Sequence, residues 1–267
     1  MTFQSKDGHL LWYSSPRTEE AEQEGKNIIR MTPGPTRYAT SGVDDIKSSF
    51  QLFLPESIVE IILAMTNLEG GRVFADTWKA LDQVDLQAYM ALLILAGEHR
   101  SNNEATKSLW DAVSGRPIFW STMSLQQFHV LSRVIRFDDR ATQPFRWRDD
   151  QLVGIRNVWD RWVERLPLMY NPGPEVTVDE RLVPYRGRRP FKQYIPSKPG
   201  KYGIKIWAAC DARSSYARNM QVYTGKPVTG RREKNQGMRV VLDMTAGLKG
   251  HNITCDNFFT SHGLRSC

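Results

Sequence analysis

The sequence predicts an α+β protein in which a helical region is followed by a mixed sheet. From about Asp44 to Leu168, apolar residues recur at helical spacing. The segment Asn171–Glu175, rich in Pro and Gly, then breaks the helical pattern. After it, the apolar period shortens to two, which is typical of β-strands. A run of helices followed by strands indicates an α+β architecture.

The helical region contains several amphipathic stripes. One stripe comprises Ile58, Ile61, Ile62 and Met65, and another comprises Ile155, Val158, Trp159, Trp162 and Leu166. Each stripe predicts a helix that packs on a core through one face. The polar residues 1–45 show no such period and predict a flexible N-terminal arm. We therefore divide the chain into an arm (1–45), a helical region (46–175) and a sheet domain (176–267).

The sheet domain is predicted to contain four strands and one helix. The strands are expected at Val176–Tyr185, Gly203–Ala212, Ser215–Gly225 and His251–Phe259, and the helix at Gln236–Leu248. The order is three strands, a helix and a last strand, which is consistent with a sheet covered by a helix.

Charge is distributed unevenly along the chain. The whole sequence of 267 residues carries a net charge of +7. Residues 176–267 contain 17 Lys and Arg against 6 Asp and Glu, whereas residues 1–175 contain 19 against 23. The positive charge is therefore concentrated in the sheet domain. This asymmetry predicts a polyanionic partner for that domain, most simply nucleic acid.

The cysteines and the apolar runs indicate the kind of cellular compartment in which the protein resides. The three cysteines, Cys210, Cys255 and Cys267, form no Cys-x-x-Cys pair, which argues against a disulfide framework or a zinc site. No apolar stretch near the N-terminus resembles a signal peptide. The longest apolar run, Tyr89–Gly97, is far shorter than the roughly 20 residues of a membrane span. We expect no membrane association and a reducing compartment.

Two aspartates lie in apolar strand patterns, where burial of a charged carboxylate costs free energy. Asp179 lies within the apolar strand pattern VTVDERL, and Asp256 lies toward the end of ITCDNFF. A charge in such a strand requires an opposite charge or a metal ion. If the first and fourth strands are adjacent, both carboxylates can meet at one Mg²⁺ site, because Mg²⁺ prefers oxygen ligands.

A purely structural interpretation of these acidic residues remains open. Asp179 can instead pair with Arg181, which lies two residues on and on the same face. Glu180 is expected to point to the opposite face and to stay outside any site. Asp211 is expected to be a turn residue, and Asp243 a solvated or salt-bridged helix position.

The segment Arg181–Lys205 holds eight basic residues and no acidic one, with four aromatic residues among them. Its Pro and Gly residues predict a loop or hairpin between the first two strands. Basic side chains bind phosphates and aromatic rings can stack on unpaired bases. The residues that we expect to contact DNA are Arg186, Arg188, Arg189, Lys192, Lys198 and Lys201. The alternative is a solvated loop whose charge only aids solubility.

The sequence resembles piggyBac-type DDE transposases and their domesticated relatives. The resemblance rests on VTVDERLVPYRGRRPFKQYIPSKPGKYGIKIWAACDA and NITCDNFFTS, with support from MSLQQFHVLSRVIRFDD and LMYNPGPE upstream. It runs from about Asp7 to the last residue. The order, separation and flanking residues of the two acidic motifs all match the family.

The resemblance implies an RNase H-like catalytic domain joined to a helical dimerisation and DNA-binding region. It implies Mg²⁺-dependent nicking of double-stranded DNA at transposon ends, hairpin formation and insertion at TTAA targets. Asp179 and Asp256 would be the first two catalytic, metal-binding carboxylates. We accordingly expect a nuclear protein that forms a homodimer in its full-length form and has no small-molecule substrate.

One feature of the family is not found in the sequence. The third catalytic Asp of the family lies well downstream of the second, and residues 257–267 contain no Asp. The resemblance therefore implies the N-terminal and early catalytic portion of a transposase, with little or no strand transfer by this chain alone. The alternatives are a domesticated DNA-binding or dimerising protein without catalysis, a dimerising inhibitor of a full-length relative, and an α+β protein unrelated to DNA.

Overall fold

The computed structural model describes residues 2–5, 8, 11–13, 28–101, 104–225 and 233–261. Part of the predicted arm therefore lies outside the described residues. Cys267 also lies outside them. In the described part of the arm, Thr36 caps the first helix through its side chain. The hydroxyl of Thr36 also donates a hydrogen bond of 2.5 Å to the carbonyl of Leu168. This contact joins the arm to the end of the helical region.

Ten α-helices are present in the described residues. They are α1 (Arg37–Ser41), α2 (Ile46–Phe53), α3 (Glu56–Phe74), α4 (Gln83–Glu98), α5 (Thr106–Leu109), α6 (Pro117–Thr122), α7 (Leu125–Val134), α8 (Gln143–Arg146), α9 (Arg156–Met169) and α10 (Gln236–Met244). None of these helices alone has the length and apolar character of a membrane span. The pair α2 and α3 has both properties only when the two are taken together, across a bend of 72°.

The helices α3 to α7 pack around one apolar core. The predicted stripe of α3 contributes Ile58 and Ile62, which are buried against Leu86 of α4 and Leu131 of α7. A buried carboxylate, Glu69 of α3, adds a polar contact to this core. It pairs with the guanidinium groups of Arg136 and Arg140 at 3.0 and 2.9 Å.

Nine strands are present in the described residues. They are β1 (Thr2–Gln4), β2 (Leu11–Tyr13), β3 (Gly34–Pro35), β4 (Tyr170–Asn171), β5 (Glu175–Pro184), β6 (Gln193–Tyr194), β7 (Tyr202–Asp211), β8 (Ala217–Val222) and β9 (Asn252–Cys255). The pairs β1–β2 and β3–β4 are separate from the main sheet.

The main sheet has five strands and is mixed. β7 pairs antiparallel with β5 on one side and with β8 and β6 on the other. β9 pairs parallel with β5. The first and fourth strands expected in the sheet domain are therefore adjacent, which meets the condition for bringing Asp179 and Asp256 together, and the α+β fold class is confirmed.

Each face of the sheet is covered by a different element. On one face, Val176, Val178 and Trp207 pack against Val240 and Met244 of α10. On the other face, Ile206 and Val222 pack against Trp159 of α9, against Leu152, which precedes α9, and against Phe191, which follows β5. Alternation along β5 and β7 produces both faces.

The last helix and strand end earlier than the sequence predicts. The helix α10 ends at Met244 rather than Leu248, and Gly247 follows with a φ of +80°. The strand β9 ends at Cys255 rather than Phe259, because Asp256 begins a turn. Its carboxylate accepts a hydrogen bond from the backbone N–H of Phe258 at 2.9 Å, a use typical of Asp in turns.

Candidate functional site

Asp179 lies in the middle of β5, just beyond the ladder that joins β5 to β9. The last pair of that parallel ladder is Val178 with Cys255. Asp179 is exposed, and its carboxylate accepts a hydrogen bond of 2.7 Å from the backbone N–H of Glu180. This local hydrogen bond holds the carboxylate against the next residue of its own strand.

Asp256 immediately follows β9, so the parallel register places it next to Asp179. It is also exposed. Its backbone carbonyl accepts hydrogen bonds from the N–H of Phe259 and the hydroxyl of Thr260. The turn therefore fixes Asp256 through both its side chain and its main chain.

Three carboxylates converge at this point. One oxygen from each of Asp179, Glu180 and Asp256 lies within 4.8 Å of the others. The expected proximity of Asp179 and Asp256 is met, while the expectation that Glu180 stays outside the site is wrong. Asp179 and Glu180 are both paired with β7, so alternation sends their side chains to opposite faces of the sheet, as expected. Among the described residues, β5 has no strand partner on the β9 side beyond Val178, so a carboxylate from each face can reach the turn of Asp256 past this open edge.

The charges around the three carboxylates differ. In the described part of the chain, no basic group lies within salt-bridge distance of Asp179 or Asp256. The alternative pairing of Asp179 with Arg181 is therefore not observed. Glu180 is different, because the ammonium groups of Lys198 and Lys205 lie 3.4 and 3.7 Å from its two carboxylate oxygens.

The arrangement fits a divalent cation. Asp179 and Asp256 supply two carboxylates that form no salt bridge among the described residues, and such oxygen ligands suit Mg²⁺. Two neighbouring carboxylates also repel each other, and a cation between them removes that repulsion. The site can therefore bind a metal ion through Asp179 and Asp256.

The other two acidic residues considered in the sequence have structural roles. Asp211 ends β7 and is buried, with hydrogen bonds from the N–H of Gly173 and from Ser214. Asp243 pairs with Arg239 one helical turn away at 2.6 Å. Both therefore match the turn and salt-bridge interpretations, and neither is a member of the carboxylate cluster.

The predicted basic hairpin lies between β5 and β7, with β6 inside it. Arg186, Arg188 and Lys201 are exposed and have no side-chain partner among the described residues. Lys192 donates to the carbonyl of Gly187 at 3.3 Å, and Lys198 pairs with Glu180. Most of this positive charge is therefore free to meet a phosphate backbone.

Arg189 is positioned by an aromatic ring from another segment. Its guanidinium group lies 5.0 Å from the ring centroid of Trp147, which follows α8. Phe191, two residues on, is buried in the core between the sheet and α9. The hairpin is thus anchored by one buried ring, and Arg189 is half-buried, while Arg186 and Arg188 remain exposed.

Three residues near these sites were not expected from the sequence. Strand alternation excludes Glu180, and no local signal contradicts that rule. Trp147 is distant in sequence from the hairpin, so no pattern links them. Lys205 does give a signal, because it is a charged residue within the apolar run of β7, like Asp179 in β5.

Comparisons with known proteins identify related sequences and a related structure. A family model described as Transposase IS4 matches residues 47–266. Human PiggyBac transposable element-derived protein 3 is 24% identical over 233 residues, covering 80% of this chain and 36% of that protein. The human Chimeric ERCC6-PGBD3 protein is also 24% identical over 233 residues, which are 20% of its length.

A solved structure shares the fold. The cryo-EM structure of a piggyBac transposase synaptic complex with hairpin DNA superposes with a TM-score of 0.81 at 31% identity. The match covers 88% of this chain and 50% of that one, so the chain spans about half the length of the solved transposase. The family match extends over most of the sequence and includes both acidic motifs. The chain therefore belongs to the family of piggyBac-type transposases and piggyBac transposable element-derived proteins.

Proposed function

We propose that this chain binds double-stranded DNA and carries a divalent-metal site that serves cleavage and transfer of DNA strands. The observation that supports the proposal is the convergence of Asp179 and Asp256, neither of them in a salt bridge within the described chain, beside a basic hairpin. The related structure is a transposase in complex with DNA. Transposon ends as substrate, TTAA as target, a homodimer and a nuclear location belong to the same proposal.

Each part of the site has a chemical task in this proposal. Mg²⁺ bound at the carboxylates would activate a water or a 3′-hydroxyl and stabilise the leaving oxygen of a phosphodiester. Asp179 and Asp256 would hold this cation and so would determine where the reacting phosphate lies. Arg186, Arg188 and Arg189 hold the DNA backbone through charge-assisted hydrogen bonds.

A second function is favoured by one observation. The third carboxylate of the cluster, Glu180, is neutralised by two lysines, which leaves two carboxylates for a cation. A site with only two carboxylates binds metal more weakly. The alternative is thus a DNA-binding and dimerising protein in which the carboxylates no longer cleave DNA.

Metal binding and DNA nicking together test the proposal. Mn²⁺ is a suitable probe, because it prefers the same oxygen ligands as Mg²⁺. Its binding is measured by titration calorimetry for the wild type, Asp179→Asn and Asp256→Asn, and nicking of a supercoiled plasmid is measured with Mg²⁺. The matched control is Asp44→Asn, an exposed aspartate just before α2 whose carboxylate has no partner among the described residues.

Each outcome decides between the candidates. We expect Asp179→Asn and Asp256→Asn to abolish Mn²⁺ binding and whatever nicking the wild type shows, and Asp44→Asn to leave both unchanged. Mn²⁺ binding without nicking by the wild type would favour the non-catalytic alternative. Absence of Mn²⁺ binding by a folded wild-type chain would overturn the proposed metal site.

A further inference from the structure

Glu180 connects the carboxylate cluster to the basic hairpin. One of its oxygens lies within 4.8 Å of oxygens from Asp179 and Asp256. Its two carboxylate oxygens also lie 3.4 Å from Lys198 and 3.7 Å from Lys205. Glu180 therefore stands between two sets of partners, the metal site and the lysines.

We propose that Glu180 is a third metal ligand, which Lys198 holds back until Lys198 binds a DNA phosphate. The inference rests on the proposed function, because it takes Asp179 and Asp256 as the primary metal ligands. In this arrangement, binding of DNA to the basic hairpin frees Glu180 to bind the metal ion. Metal and DNA then each strengthen the binding of the other.

The two lysines differ in how firmly they are fixed. Lys205 projects from the central strand β7, and its ammonium group lies 4.9 Å from the ring centroid of Phe258 and 5.6 Å from that of Trp207. Its side chain is only 16% exposed. These ring contacts stabilise the cation in place, so Lys205 remains beside Glu180 whether or not DNA is present.

Lys198 is the more accessible partner. It lies on the turn between β6 and β7, and its side chain is 33% exposed, about twice the value for Lys205. Among the described residues, the only partner of its ammonium group is Glu180, through the carboxylate and through the main-chain carbonyl at 3.5 Å. A phosphate offers the same ammonium group an anion with several acceptor oxygens, and polyanionic DNA attracts it further.

Release of Lys198 changes the charge available to a cation. With Lys198 in place, Glu180 carries one negative charge faced by two positive ones. When Lys198 moves to a phosphate, Glu180 is left with Lys205 and can share its free oxygen with a metal. Like-charged neighbours at Asp179 and Asp256 then favour a cation between the three groups. Because the two binding events share one residue, their coupling is reciprocal.

A double-mutant cycle on Mn²⁺ affinity tests this role. The four proteins are the wild type, Lys198→Gln, Glu180→Gln and the double variant. We expect Lys198→Gln to tighten Mn²⁺ binding about fivefold, because it frees Glu180. In the Glu180→Gln background the same change should have no such effect, because an amide cannot replace the carboxylate charge.

Lys201→Gln is the matched control for charge. Lys201 lies on the same turn, is exposed and has no side-chain partner among the described residues. If Lys198→Gln acted only by removing a positive charge, Lys201→Gln would tighten Mn²⁺ binding equally. Equal effects of the two variants, or an effect of Lys198→Gln that persists with Glu180→Gln, would overturn the inference.

The reciprocal measurement uses DNA. Fluorescence anisotropy of a labelled duplex is recorded at constant ionic strength, with Mn²⁺ and with chelator. Mn²⁺ should strengthen DNA binding more in the wild type than in Glu180→Gln, and equal gains would contradict the coupling. If the wild type bound no Mn²⁺, the proposed function itself would fail. If Asp179→Asn abolished Mn²⁺ binding while the cycle showed no coupling, only the role of Glu180 would be wrong.

Discussion

Cys255 pairs with Val178 at the end of the parallel ladder between β9 and β5, and the next residue of each chain segment is an aspartate. The ladder therefore determines that Asp256 and Asp179 emerge side by side. The ladder is supported by apolar packing, because Val178 is buried against α10. The position of the two carboxylates thus depends on the β5–β9 ladder and on α10, which contribute no carboxylate to the site.

The contact between α10 and the turn of Asp256 gives the first prediction. Gly237, in the first turn of α10, lies against the turn so closely that a Cβ would be 2.5 Å from the carbonyl oxygen of Phe258. The same Cβ would be 2.8 Å from the Cα of Phe259. Because these are backbone atoms, Gly237→Ala must displace the turn. We expect Mn²⁺ affinity to fall by about tenfold or more, measured by calorimetry.

Gly71→Ala provides the control for this change. Gly71 lies in α3, and a Cβ there meets no atom within 4 Å. The substitution should raise the free energy of unfolding by about 0.5–1 kcal/mol, since Ala favours a helix, and leave Mn²⁺ binding unchanged. An unchanged Mn²⁺ affinity in a folded Gly237→Ala variant would show that the turn does not position Asp256.

The basic hairpin gives the second prediction, which concerns the salt dependence of DNA binding. Replacing Arg186, Arg188 and Arg189 by Ala removes three charges from the surface of the hairpin. We expect weaker binding to duplex DNA and a shallower dependence on salt. The slope of log affinity against log salt should decrease by up to roughly 0.9 for each phosphate that the variant no longer neutralises. Anisotropy titrations at several salt concentrations measure both quantities.

A triple variant of equal charge tests whether the hairpin is the main phosphate-binding surface. Lys47, Lys79 and Lys107 are exposed lysines of the helical region, and their replacement by Ala should reduce the slope less. Equal reductions in the two triple variants would mean that binding depends on total charge. A larger reduction in the lysine variant would assign the phosphate contacts to the helical region instead.

Local patterns predicted the scaffold of the site from the sequence. Period-two alternation identified β5, and the apolar run identified β7, because each strand is buried on at least one face. The helical stripe of α3 was confirmed because Ile58 and Ile62 do face the core. These features follow from the spacing of side chains along short segments, so each can be predicted from its own segment of the sequence.

The details of the site depend on where pairing stops, which the sequence does not reveal. Alternation placed Glu180 away from the aspartates, but the ladder with β9 ends one residue before Asp179. Asp256 was expected within a strand, but its side chain begins a turn. The contact of Arg189 with Trp147 joins two segments that are far apart in the sequence. Such contacts arise from tertiary packing and leave no periodic signal.

The third prediction concerns Asp211, which joins β7 to the segment before β5. Its buried carboxylate accepts hydrogen bonds of 2.7 Å from the N–H groups of Gly173 and Ser214, and one of 2.6 Å from the Ser214 hydroxyl. Burial raises the pKa of Asp211, but these hydrogen bonds outweigh it, so the pKa lies below the ordinary value of 3.8. The carboxylate therefore stabilises the fold in its ionised form.

Because the pKa of Asp211 is lower in the folded state, its contribution is complete above about pH 4 and declines as the pH falls toward the folded pKa. We expect Asp211→Asn to lower the free energy of unfolding by about 1.5–3 kcal/mol at neutral pH. The difference from the wild type should shrink below about pH 4, as measured by urea denaturation. Asp111→Asn is the control, because Asp111 accepts similar hydrogen bonds from Ser114 at an exposed turn. The destabilisation by Asp111→Asn should be smaller because water can replace these hydrogen bonds, and equal destabilisation would contradict a special role for burial at Asp211.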